Sequence, residues 1–128
     1  MALDDRFAKA LLKKARRGFN GHPIATVAYY GPDDRRASKV AVSVVMAEDE
    51  DIAELRRWFS EHGDVRRDAT IQRAILEFIR RHDAQSVAIG DGIMGCPHEE
   101  GIDYPDGEAC PQCPFWAGRK RPTGKLVR

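Results

Sequence analysis

The segment from Gly95 to Trp116 constrains the chain most, because it holds all three cysteines of the protein and one of its four histidines. Cys96 and His98 are one residue apart, Cys110 and Cys113 form a Cys-x-x-Cys pair, and eleven residues separate His98 from Cys110. Two close pairs joined by a turn-rich loop are the usual layout of a four-ligand zinc site. Three thiolates and one neutral imidazole form a soft set that suits tetrahedral Zn²⁺. Cys96, His98, Cys110 and Cys113 are therefore the candidate metal ligands, and Zn²⁺ is the expected ion. Four protein ligands leave no open position, which points to a structural site.

Three other readings of these residues fit less well. Hydrophobic cysteines pack in cores and should not cluster in a Gly/Pro/Asp-rich loop. A redox dithiol is expected at a helix N-terminus, whereas Cys113 is followed by Pro-Phe-Trp-Ala-Gly. His98-Glu99-Glu100 with Cys110-Pro-Gln-Cys113 carries the letters of a zinc nucleobase deaminase. Eleven residues are too few for the connection between that fold's two ligand-bearing helices, and Cys96 takes the place of the catalytic water. No phosphate loop, helical His-Glu-x-x-His or Ser/His/Asp pattern is present. His22, His62 and His82 lie far in sequence from any second ligand pair and read as surface or helix-end residues.

The runs Gly95 to Pro105 and Cys110 to Trp116, 18 residues with the segment Ile24 to Val44 beside them, resemble an uncharacterised family of small bacterial proteins marked by GCPHEEGxDYP…CPxCPFW. The resemblance implies a bacterial cytoplasmic protein and brings no activity with it.

A chain of 128 residues, 42% hydrophobic and 32% charged, fits one ordinary domain with one modest core. The first residues hold Asp4, Asp5 and several lysines and no apolar signal region, and no apolar run approaches the ~20 residues of a membrane span. An odd number of cysteines argues for a reducing compartment, so a cytoplasmic location is expected. The net charge of +1 conceals a strong asymmetry. Residues 1–18 sum to +4, 48–68 to −4, 96–118 to −5 and 119–128 to +5. A protein partner is the expected one. Nucleic acid is the less favoured partner and would bind the basic arms, because the acidic metal loop repels phosphate. No membrane contact is expected.

Residues 2–17 read as an amphipathic helix on Leu3, Phe7, Leu11 and Ala15, ended by Gly18 and Gly21. Ile24–Tyr30 and Lys39–Met46 read as a hairpin around Gly31-Pro32-Asp33-Asp34, with Arg35, Arg36 and Lys39 at a solvated tip. Acids at 48–51 and the spacing of Ile52, Leu55 and Phe59, with Trp58 beside them, predict a second helix that His62-Gly63-Asp64 stops. Asp68 caps a third helix over 69–82 on Ile71, Ala74, Ile75, Phe78 and Ile79, and Ser86–Gly90 reads as a buried strand.

The fold class is α+β: a small three-stranded sheet covered by helices, with a C-terminal zinc-stapled loop lobe. A single domain, 1–128, divides into an N-terminal helix (1–21), an α/β core (22–94), the zinc lobe (95–118) and a basic tail (119–128). In the lobe, Ile102, Tyr104, Phe115 and Trp116 are expected to close one end of the core. The function these features favour is a small binding or adaptor module with a structural Cys3His site. The alternative is a zinc-associated enzyme, hydrolase or deaminase-like, that uses Glu99 or Glu100, with Asp103 and Asp106 nearby. That alternative lacks an open metal position, a base with a partner and a nucleophile.

Overall fold

The computed structural model describes residues 5–117, and the basic tail lies outside them. Helix α1 (Arg6–Arg16) leads into strands β1 (Ile24–Tyr30), β2 (Lys39–Val45) and β3 (Glu54–Phe59). A short 3₁₀ turn at Val65–Arg67 precedes helix α2 (Ala69–Arg81) and strand β4 (Ser86–Ile93). The sheet has four strands rather than the three expected, in the order β3-β2-β1-β4. The β1–β2 and β2–β3 pairs are antiparallel, and β4 runs parallel to β1 after the α2 crossover. An α+β class is thus present. Among the described residues no helix is long and apolar enough to cross a membrane.

Period-two alternation divides the sheet into two unlike faces. Ala25, Val27 and Tyr29 stand opposite Val44, Val42 and Val40 in register, and all six are buried on the helical side. Leu11 of α1 and Ile71, Ile75, Phe78 and Ile79 of α2 close this core. The alternate positions Thr26, Ala28 and Tyr30 of β1 pair with Ser43, Ala41 and Lys39 of β2 on the face away from the helices. Thr26, Ala28, Ala41 and Ser43 are small and leave room above the sheet.

The additional strand, β3, replaces the predicted second helix. Asp49 has φ +64°, in the left-handed region, and the Glu50 N–H closes a turn onto Ala47 O at 3.2 Å. The chain then pairs with β2 in the register Lys39↔Phe59 to Val44↔Glu54. Pairing satisfies the side of the backbone that faces β2 and turns Trp58 onto Phe78, ring centroids 5.9 Å apart. The proposed buried stripe is instead open: Ile52 is 50% exposed, Leu55 42% and Phe59 62%. Helix α2 forms as expected, with Asp68 Oδ1 accepting from the Ile71 N–H at 3.1 Å.

Strand β4 continues past the expected Gly90. Its pairing jumps from Val27↔Ile89 to Tyr29↔Ile93, so four residues of β4 span two of β1. This bulge passes through Gly92 at φ +66° and through Gly90, where a Cβ would sit 3.0 Å from Met94 Sδ. The chain leaves it aimed across the non-helical face, held by Met94 N–H to Tyr29 O (2.7 Å) and Gly31 N–H to Gly95 O (2.8 Å).

Candidate metal centre and adjoining groove

Because the bulge fixes Met94 and Gly95 against the sheet, Cys96 starts from a defined position. The Cys110–Cys113 turn closes through Cys113 N–H to Cys110 O at 3.3 Å, and Trp116 N–H donates to Cys113 O at 3.1 Å. Between the pairs, the Ile102 and Asp103 N–H groups donate to Glu99 O at 3.0 and 2.7 Å. Gly101 and Gly107 take φ near +85° and +82°, which a loop this tight requires. Two carboxylates of the loop have structural partners: Asp103 Oδ2 accepts from Glu99 N–H and Glu100 Oε2 from Gly107 N–H, each at 2.7 Å.

These turns bring Cys96, His98, Cys110 and Cys113 together, with one ligand atom from each within 4.8 Å of all the others. His98 Nδ1 lies 3.3 Å from Cys96 Sγ and 3.5 Å from the sulfurs of both Cys110 and Cys113. The His98 N–H donates to Cys96 Sγ at 3.3 Å, a bond suited to a thiolate. The three cysteines are free and buried. Burial pushes the Cys96 thiol up, against the pull of the His98 N–H. Cys113 is pushed well up, by burial first and then by the sulfurs of Cys96 and Cys110. Three crowded sulfurs in a dry site need a cation before they can all be thiolates, and the cluster can hold a metal ion.

With Trp116, Tyr104 and the three cysteines form a small apolar cluster of their own. Tyr104 therefore belongs to the lobe and not to the sheet core, and Ile102, expected to cover the core, is 77% exposed. Trp116 is the hinge between lobe and core, packing against both clusters and donating its indole N–H to Gly31 O at 2.8 Å.

A second tie comes from the sheet. Lys39 is not at the hairpin tip as expected. It is 5% exposed, and its Nζ donates to Pro97 O at 2.9 Å and to Glu99 Oε2 at 3.3 Å. The rings of Tyr30 and Phe59 flank the ammonium, with centroids at 5.4 and 5.9 Å. Arg57 grips the same carboxylate with Nε at 2.9 Å from Oε2 and NH2 at 3.3 Å from Oε1. Glu99 is thus a structural clasp. The sequence offers no local sign of it, because Lys39, Arg57 and Glu99 meet only through strand pairing. Arg36, another of the expected tip cations, donates to Gly63 O at 2.7 Å.

Between the lobe and the non-helical face lies a groove of about 300 Å³. Thr26, Ala28, Ala41 and Ser43 form its floor, Ile52 and Leu55 one wall, and Cys96, His98 and Glu99 the other. Past the Arg57–Glu99 pair the surface opens into a shallower hollow of about 750 Å³ beside Phe59 and Ile102.

No family profile, curated protein or solved structure matches this chain.

Proposed function

We propose that this protein is a small binding or adaptor module in which a structural Cys3His zinc site staples a loop lobe beside a recognition groove. The observation that carries the reading is the set of His98 Nδ1 to sulfur separations, 3.3, 3.5 and 3.5 Å. Zn–S bonds of about 2.3 Å and a Zn–N bond of about 2.0–2.1 Å at the tetrahedral angle place nitrogen and sulfur about 3.6 Å apart. Zinc fits the donor set, and with all four positions held by protein its role is to fix the lobe rather than to activate water. Buried thiol ligands and an odd cysteine count support a reducing, cytoplasmic setting. Membership of the small bacterial family belongs to the same reading.

The groove supplies the binding surface, and a protein partner suits it best. An apolar wall, a floor of small side chains and an ion-paired end are how an interface core and its polar rim are built. Catalysis by Glu99 or Glu100 finds less support, since Glu99 is engaged by Lys39 and Arg57 and Glu100 by the Gly107 amide.

The test is metal content with hydrogen exchange. The purified chain should carry one zinc, and Cys110→Ser should lose it together with protection of residues 95–116. Stoichiometric absence of metal from a chain whose lobe is protected would reject the reading.

A further inference from the structure

We propose that the helical side of the sheet, opposite the metal lobe, carries a second binding site, one for single-stranded nucleic acid. Residues 6–17 hold six cations and no acid, and 65–85 hold five cations against three acids. Folding places both stretches on one layer, since α1 packs on α2 and β4. Among the described residues, Lys13, Lys14, Arg16, Arg17, Arg80 and Arg81 make no ion pair. The small net charge of the whole chain therefore does not describe the helical side.

Three of these cations are gathered around a hollow. The C-terminal ends of α1 and α2 flank a depression of about 370 Å³, where Lys14, Arg17 and Arg80 face a single acid, Asp83. Val87 lines this hollow and also a neighbouring apolar cleft of about 420 Å³ at the β4 edge of the sheet, lined by Ala15, Ile89 and, from the start of β1, Ile24. Phe19 stands at that cleft 70% exposed, its ring edge-on to His22 at 5.8 Å. A cationic track continuous with an exposed aromatic ring over an apolar cleft matches a strand of phosphates that carries flat, unpaired bases. A duplex keeps its bases stacked and out of reach of Phe19. An anionic lipid surface needs a continuous apolar face, but that of α1 is turned inward, with Leu11 1% exposed and Phe7, Ala10 and Ala15 against the core.

The site is independent of the groove and the metal. It is tested on the zinc-loaded full chain by fluorescence anisotropy with labelled oligo(dT) and oligo(U), the matching duplex, inorganic polyphosphate and phosphatidylserine vesicles. Both oligonucleotides should bind at low salt, with log K falling against log salt with a slope of about −2 or steeper for three neutralised phosphates. Charge reversal at Lys14, Arg17 and Arg80 together should abolish binding. Phe19→Ala should weaken oligonucleotide binding about 5- to 150-fold while leaving polyphosphate binding unchanged, and Phe19→Trp should restore it. Circular dichroism and zinc content confirm that each variant folds. Any of four results overturns the proposal: no binding at low salt, tighter binding to duplex or vesicles, no effect of Phe19→Ala, or binding that survives the triple reversal.

Discussion

Asp64 joins the 3₁₀ turn to the end of the hairpin with one carboxylate. Its oxygens accept from the Arg66 N–H and Nε at 2.9 Å each, from Arg66 NH2 at 2.6 Å and from the Ala37 N–H at 3.1 Å. Burial alone would raise its pKa, but the bonds from Arg66 and Ala37 outweigh burial and hold it below the usual carboxylate range. A depressed folded-state pKa gives stability that is present above the unfolded value of about 3.9 and lost as pH falls through the folded one. Asp64→Asn should therefore cost about 1–2 kcal/mol at neutral pH and flatten the acid limb of stability below about pH 4, measured by urea unfolding across pH. Lys39 makes a different claim. Lys39→Met keeps the stem between Tyr30 and Phe59 but leaves Pro97 O and Glu99 without the ammonium, with Arg57 still on Glu99. The loss should be about 1–3 kcal/mol, with hydrogen exchange rising at residues 96–104 and no change in α2.

Strand β3 and helix α2 show what a local pattern can and cannot say. Helix α2 was legible because its stripe of Ile71, Ile75, Phe78 and Ile79, its cap and its burial all agree. The grouping of Cys96, His98, Cys110 and Cys113 was legible for a similar reason, since the lobe is built from local turns. Strand β3 was hidden because Ile52, Leu55 and Phe59 recur at near-helical spacing, while the partner that decides, β2, is brought in by a turn at Asp49. The clasp from Lys39 and Arg57 to Glu99 was hidden by the same long-range pairing. Strand and helix differ in amide protection. Ser60 N–H donates to Ser38 O, so alternation turns the Arg56 and Trp58 amides toward β2 and those of Leu55, Arg57 and Phe59 to the open edge. Exchange followed by NMR should be slow at Arg56 and Trp58 and fast at the other three. Uniform protection from Leu55 to Phe59 would indicate the helix instead.

The molecule as a whole is a one-sided sandwich: helices on one face of the sheet, and the Cys3His lobe over part of the other. The two sides hold separate apolar clusters linked chiefly through Trp116. The sheet core does not depend on the lobe for its burial, whereas the lobe's own cluster consists of three cysteines and Tyr104. Chelation should therefore melt residues 95–116 first and leave the amides of β1, β2 and α2 protected, which hydrogen exchange by mass spectrometry resolves segment by segment. Simultaneous loss of both would show that the metal supports the entire fold. The central claim, a closed four-ligand zinc site, is tested most directly by X-ray absorption at the zinc edge of the purified chain. The account predicts one zinc per chain with three sulfurs at about 2.3 Å and one nitrogen at about 2.0–2.1 Å. Two sulfurs with an oxygen in the first shell, or no zinc beside an ordered lobe, would contradict it.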